Sequence, residues 1–368
     1  MFLQKLTLTN FKNYEQAELT FSEKINCLVG DNGEGKTNLL DAIFYLSFCK
    51  SFFNPIDMQN IRHGEDFFAI HGQYQRNGEN SDVVSCIQKR NHKKQFRLNK
   101  KDYDRLADHI GLYPLVMVSP SDADLISLGS EERRKYFDGV IAQFDKVYLD
   151  DLLNYNKAVQ HRNALLRHFA ETRSFQQASI DIWDEQLVQL GKKIHLRRAE
   201  FLEGFTPLFQ EYFEVISQGK EKVGIKYESQ LHERDFRELL TDSLQRDMAV
   251  RFSTAGVHKD DMLFLLSGYP VKKYGSQGQQ KSFLISLKLA QFEYTRRIKE
   301  FRPVLLFDDI FDKLDDHRVS QLIRLVGENN FGQVFITDTK YERIKGIFER
   351  IDIDHRIYRI TEGKPEVL

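Results

Sequence analysis

Three features of the sequence predict an α/β fold with a helical lobe inserted between its two halves. The first third reads as strands, the middle third as helices, and the last third returns to alternating strand and helix. A glycine-rich loop from Gly30 to Thr37 follows a short apolar run and opens an apolar helix, the strand–loop–helix order found where open sheets hold phosphates.

Taken in order, Leu3, Leu6 and Leu8 start a strand, and Ile25 to Val29 is a short buried-strand run. Phe67–Tyr74 and Val83–Gln88 read as antiparallel strands separated by the polar turn Arg76–Asp82. Leu115–Val118 is a buried strand stopped by Ser119-Pro120. Ser130 with Glu131 and Glu132 starts a helical stretch that continues to about Ile216, with Leu187, Leu190 and Ile194 at helical spacing. This stretch predicts two or three long helices without sustained heptads. Then come a strand at Met262–Leu266, a helix at Lys281–Ile298, a strand at Val304–Phe307 and a helix near Val319–Val326. Strands at Val334–Thr337 and Arg356–Ile360 close the chain. The predicted division is an α/β nucleotide-binding-type lobe from residues 1–125 and 250–368, with a helical arm from 126–249.

Composition narrows the function classes. A chain of 368 residues has room for two lobes. Its 53 Lys and Arg against 54 Asp and Glu leave a formal net charge of −1, so contact with nucleic acid must come from a local patch and not from bulk charge. Cys27, Cys49 and Cys86 are scattered, lack metal-ligand spacing and fit a reducing compartment. Met1 to Asn10 has no apolar signal core, and no run approaches the roughly eighteen apolar residues of a membrane helix. The expectation is a soluble, cytoplasmic protein.

Gly30-Asp31-Asn32-Gly33-Glu34-Gly35-Lys36-Thr37 fits G-x-x-x-x-G-K-[ST]. The glycines let backbone N–H groups turn toward phosphates at a helix N-terminus. Lys36 would reach the β- and γ-phosphates of ATP, and Thr37 would offer its hydroxyl to Mg²⁺. A glycine-rich turn could spell the same motif, but the flanking strand and helix are in register for a phosphate loop. Val304 to Phe307 ends in Asp308 and Asp309. Strand ends open onto the ligand crevice, so Asp308 would hold the Mg²⁺ shell and Asp309 would polarise the attacking water. Read alone, the same pair is also a solvated acidic turn. Gly275 to Gln280 precedes the helix at Lys281 and reads either as a second anion-binding surface or as a polar cap.

These three pieces resemble the ATP-binding-cassette class. The resemblance implies that Ser276, Gly278 and Gln279 complete the ATP site of a partner subunit, and that Asp315 in Lys313-Leu314-Asp315 is a dimer contact. Within that class the chain resembles the RecF family nearly end to end. Asn10-Phe11-Lys12-Asn13-Tyr14 is similar to the opening shared with chromosome-maintenance heads, and Gly33 to Ile43 to their extended phosphate loop. Pro120, Asp124-Leu125-Ile126, Gly129-Ser130, Arg133-Arg134 and Phe137-Asp138 resemble a stretch diagnostic of RecF, followed in family order by His258 with Asp260-Asp261. The chain departs from the pattern in lacking proline between Ser130 and Glu131, in Val257 and Lys259, and in Ser51 to Pro55. Thr337-Asp338-Thr339 has no switch histidine.

The resemblance implies an ATP-driven homodimer that clamps duplex or gapped DNA in replication and recombinational repair. It further implies slow ATP hydrolysis, a place in the DNA-damage (SOS) response, single-stranded DNA binding, and help to other recombination-mediator proteins in loading on single strands. For DNA contact, Lys89 to Lys101 holds seven Lys or Arg and no acid, and Lys192, Lys193, Arg197 and Arg198 could extend the footprint. Either patch is equally a solvated surface. Arg133 and Arg134 could touch DNA, brace the ATP site, or pair with acids such as Glu131 and Asp138. Lone His258 reads as a structural hydrogen-bonding residue or a lobe-contact residue, and not a metal ligand. The rival readings are a cassette ATPase energising a different membrane or protein partner, and a nuclease, for which no further acidic cluster speaks.

Overall fold

Leu3, Leu6 and Leu8 are fully buried, and the strand that carries them runs Phe2–Phe11 (β1). In the computed structural model, which describes residues 1–76, 80–217, 221–310, 331–348 and 353–368, β1 pairs antiparallel with Tyr14–Thr20 (β2) and with Phe67–Gln75 (β4). Ser81–Lys89 (β5), Gln95–Leu98 (β6) and Lys101–Asp102 (β7) extend this antiparallel sheet in the order β2-β1-β4-β5-β6-β7.

The second sheet positions the site. Ile25–Val29 (β3), Leu115–Val118 (β8), Val304–Phe307 (β12) and Val334–Asp338 (β13) are buried along their whole length, as parallel strands covered on both faces must be. With His355–Thr361 (β14) and Lys364–Val367 (β15) they run in the order β15-β14-β3-β13-β12-β8, parallel except for the edge strand β15. The helix Lys36–Phe48 (α1) follows β3 and buries Leu39, Leu40, Ile43 and Leu46. Its apolar face joins β1, β4 and β5 in one core with Phe11, Phe68 and Cys86.

The described residues form two compact units, Met1–Asp122 with Lys281–Leu368, and Ala123–Gln280. In the second unit Asp124–Ser127 (α2) and Ser130–Ala142 (α3) lead into Lys146–Thr172 (α4), of 27 residues, and Gln177–Ser217 (α5), of 41 residues. Gly129, not Ser130, sits at the N-cap of α3, although Glu131 and Glu132 do fill its first turn. Among the elements that went unforeseen are the strand Val223–Glu228 (β9) and the helix Phe236–Val250 (α6). β9 explains why residues 250–280 lie in this unit and not with the α/β lobe. Asp261–Leu266 (β10) pairs with it antiparallel over its whole length, Met262 opposite Tyr227, and Tyr269–Pro270 (β11) pairs with β10 on the other side. Val271–Tyr274 (α7) leads to Gln277–Lys299 (α8). The helix expected near Val319–Val326, and Asp315, lie outside the described residues. Among the described residues no helix is long and apolar enough to cross a membrane.

Candidate nucleotide-binding site

The loop after β3 is shaped by glycine. Gly35 has φ +112, and a Cβ there would sit 2.5 Å from Asn13 Nδ2, while one on Gly30 would sit 2.3 Å from the Ile360 carbonyl. The loop ends at Gly35, the N-cap of α1, where no side chain caps the helix and no acid occupies the first turn. The first N–H groups of α1 therefore have no side-chain acceptor in this cap. Lys36 is 4 % exposed, and its Nζ donates to the carbonyls of Gly30 and Asp31 at 2.8 Å each.

Three parallel strand ends meet beside this loop. β13 lies between β3 and β12, which brings Thr337 at its C-terminal end up to Asp308 at the end of β12. Thr337 Oγ1 donates to Asp308 Oδ1 at 3.0 Å, and Thr37 Oγ1 donates to the same oxygen at 2.8 Å. The Asp309 N–H donates to Thr337 Oγ1 at 2.8 Å, and Asp309 holds φ 46, a left-handed conformation that costs a non-glycine residue about 1 kcal/mol or more. Burial, reinforced by neighbouring Asp309, raises the Asp308 carboxyl above its ordinary range despite the two hydroxyl donors. Lys36, Thr37, Asp308 and Asp309 are thus brought together, with a hydroxyl and carboxylates that suit a hard divalent cation such as Mg²⁺.

The rest of the site braces the loop. Asn13 Nδ2 donates to the Glu34 carbonyl at 2.9 Å while its Oδ1 accepts from Asn38 at 2.7 Å, and Tyr14 donates to the Gly35 carbonyl at 3.0 Å. From the C-terminal hairpin, the Gly363 N–H donates to the Glu34 carbonyl at 3.1 Å and the Glu362 N–H to the Glu34 carboxylate. Lys12 pairs with buried Asp41 of α1 at 2.6 Å, and Ser51 Oγ donates to the same carboxylate. A cavity of about 200 Å³ opens beside the loop, lined by Gly30, Asp31, Glu34, Tyr341, Arg359 and Thr361. Asn13, Tyr14, Asp41 and Thr337 were not singled out as site residues. Only the Asn10–Tyr14 and Gly33–Ile43 motifs signalled the first three.

A family model described as RecF/RecN/SMC N terminal domain matches residues 2–361. The DNA replication and repair protein RecF of Bacteroides thetaiotaomicron is 48 % identical over 363 residues, covering 99 % of this chain and 98 % of that protein. The chain belongs to the RecF family. The RecF of Flavobacterium johnsoniae is 48 % identical over 360 residues, covering 98 % of this chain and 99 % of that protein. A solved structure of the recombination mediator protein RecF-ATP in the RecFOR pathway superposes with a TM-score of 0.90 at 29 % identity, covering 100 % of this chain and 97 % of that one. The Smc head domain of Pyrococcus furiosus, at 18 % identity and a TM-score of 0.60 over 100 % of this chain and 96 % of that one, shares the fold. The fold class read from the sequence, an ATP-binding-cassette-type P-loop head carrying a helical insertion, stands.

In the second unit, Ser276 and Gln279 form a reciprocal cap at the start of α8. The Gln279 N–H donates to Ser276 Oγ at 3.3 Å, and the Ser276 N–H to Gln279 Oε1 at 2.6 Å. The Gln279 amide also donates to Glu221. Ser276 itself is exposed.

The RecF-diagnostic arginines are internal struts. Arg133 is 8 % exposed and grips Asp261 with two bonds of 2.8 Å, while Arg134 donates to the Asp260 carbonyl at 2.5 Å. Arg133 has the Asp261 carboxylate as its acid, whereas the bond of Arg134 is to a backbone carbonyl, with the Asp138, Asp260 and Asp261 carboxylates nearby acting on its charge. Asp138 instead holds Arg198, which is 2 % exposed and also reaches Asp260 at 3.0 Å and the Val257 carbonyl at 2.7 Å. Arg198 is therefore no surface contact for DNA. On the surface of the arm Arg197 pairs with Asp145 and Glu200, Lys192 with Asp235 and Lys193 with Asp151. His258 is half-buried between the Tyr155 hydroxyl at 2.9 Å and the Ser253 carbonyl at 3.2 Å, and desolvation lowers its imidazole to about 4. In the hairpin at 89–101, Lys94 is taken up by Asp57 and the Cys49 carbonyl, and Arg97 by Asp102. Lys89, Arg90, Lys93, Lys100 and Lys101 remain exposed.

Proposed function

We propose that this chain is an ATP-gated DNA-binding protein of replication and recombinational repair, with slow ATP hydrolysis resetting the gate. The observation that carries the reading is the Thr37–Asp308 hydrogen bond of 2.8 Å, which joins the phosphate loop to the acidic strand end. ATP binding would exchange the Gly30 and Asp31 carbonyls at Lys36 Nζ for β- and γ-phosphate oxygens, while the loop from Gly30 through Asp31, Asn32, Gly33, Glu34 and Gly35 wraps the phosphates. Thr37 and Asp308 would hold Mg²⁺, which supplies charge neutralisation at the phosphates. Asp309 would orient the attacking water.

Ser276, Gly278 and Gln279 of a second copy would close over the γ-phosphate, so that ATP favours a homodimer. A ligand shifts such an equilibrium only by its differential affinity for the two states, and ATP held between two heads supplies that difference. The five exposed cations of the 89–101 hairpin supply the candidate contact to duplex or gapped DNA. Recombination-mediator proteins are the proposed partners on single strands, in the cytoplasm. The test is fluorescence anisotropy of labelled duplex DNA with ATP, with ADP and without nucleotide. Tight binding with ATP alone is expected. Binding indifferent to nucleotide would sink the gate.

A further inference from the structure

The C-terminal end of β13 carries a hydroxyl to which the proposed function gives no part. Thr337 is fully buried, and a buried hydroxyl is costly unless its hydrogen bonds are made. It makes two, to two different residues. Its Oγ1 accepts the Asp309 N–H at 2.8 Å and donates to Asp308 Oδ1 at 3.0 Å. One oxygen thus links the carboxylate that suits a divalent cation to the backbone of the neighbouring acid. The mount is firm, because the carbonyl of the next residue, Asp338, accepts the Gly30 N–H at 3.3 Å and ties the same strand end to the phosphate loop.

The placement of the bonds matters as much as their number. Thr37 and Thr337 both donate to Asp308 Oδ1, and among the described residues no group donates to Oδ2. Asp309 stands at φ 46, a conformation that a non-glycine residue keeps only when its surroundings hold it there. We propose that Thr337 is a positioning residue of the ATP site, whose hydroxyl leaves Asp308 Oδ2 to face the cation and sets the Asp309 backbone so that its carboxylate meets the attacking water. Thr37 would serve the cation directly, whereas Thr337 touches only the two acids. Substituting Thr337 therefore separates orientation from ligation. Valine keeps the shape of the side chain and loses both bonds, and serine keeps both bonds and loses one methyl group. The inference rests on the reading of Asp308 as a Mg²⁺ ligand and of Asp309 as the residue that orients water.

The test compares full-length wild type, T337V and T337S by calorimetric titration of Mg²⁺ in the presence of ATP, titration of ATP with chelator, steady-state hydrolysis and thermal melting. In T337V, Mg²⁺ affinity should fall about tenfold or more, as it does when a group that orients a metal ligand is lost. ATP affinity in chelator should stay within about twofold, because the phosphate loop is untouched. At saturating MgATP, kcat should fall at least about tenfold while KM for MgATP moves less, since a misdirected Asp309 is felt in the transition state. T337S should remain within about threefold of wild type in every readout. T337A carries the same comparison if valine prevents folding. T337S as impaired as T337V would trace the effect to the methyl group and overturn the inference. A T337V that melts lower but keeps wild-type Mg²⁺ affinity and kcat would make Thr337 a purely structural residue, which also overturns it. A wild type that binds MgATP without ever turning it over refutes the hydrolysis reading and the Asp309 half. A Mg²⁺ loss in T337V that T337S restores would still support the Asp308 half.

Discussion

Asp308→Asn separates the proposed metal role of this carboxylate from its structural one. Asp308 is 4 % exposed and accepts from Thr37 at 2.8 Å and Thr337 at 3.0 Å, and an asparagine carbonyl can accept both bonds in the same place. Exchanging two charge-assisted bonds for neutral ones loses about 1–3 kcal/mol. Against this, the substitution removes a carboxylate whose pKa burial and Asp309 already raise, so its ionised form costs the folded state energy. The two terms oppose, and the unfolding free energy should move by no more than about 1 kcal/mol in either direction. The metal term has no such compensation. Losing the anionic oxygen should weaken Mg²⁺ binding in the presence of ATP by at least about 100-fold, since even groups behind metal ligands cost 10–100-fold.

The pH dependence has the matching sign. With a raised folded pKa, the stability contribution of Asp308 is fully present below the ordinary aspartate value of 3.8 and is lost as pH rises through the folded pKa. Mg²⁺ affinity gains over that same window, because the cation requires the carboxylate. Calorimetric titration of MgATP against ATP with chelator, together with a thermal melt, checks both halves. An Asp308→Asn protein with unaltered Mg²⁺ dependence would refute the metal assignment, and one that loses 3 kcal/mol or more of stability would make Asp308 a structural residue.

Other substitutions probe the rest of the molecule. Gly35→Ala places a Cβ 2.5 Å from Asn13 Nδ2 at φ +112, so ATP affinity should drop at least about tenfold and stability by about 1–3 kcal/mol, read by nucleotide titration and melting. Arg198→Ala leaves buried Asp260 and half-buried Asp138 without their cation, which should cost about 3–5 kcal/mol and lower the melting temperature by roughly 10 °C. A double-mutant cycle with Asp138→Asn should recover part of that loss. Ser276→Arg should leave ATP binding intact and abolish the ATP-dependent dimer in light scattering. A normal dimer would remove the proposed completion of the site by a second copy.

The phosphate loop could be read from the sequence because all its parts are contiguous: the strand, the glycines whose backbone must turn, Lys36 and Thr37 occupy one short segment. The buried strands at Ile25, Leu115, Val304 and Val334 were equally legible, since a parallel strand covered on both faces leaves an unbroken apolar run. The arginines show the opposite case. Arg133 finds Asp261 across 128 residues, and Arg198 finds Asp260 across 62, distances at which no helical or strand period links the partners. The sequence left Arg133 open between DNA contact, bracing of the ATP site and pairing with an acid, and placed Arg198 in a possible DNA footprint, while the folded chain buries both as struts. The boundary near residue 280 was hidden for the same reason, because β10 joins the second unit through its register with β9. Local chemistry determined where the phosphate loop and the strands lie. Only tertiary pairing decided which charges are spent internally and which remain to meet a ligand, because a charge has no fixed role until the fold chooses its neighbours.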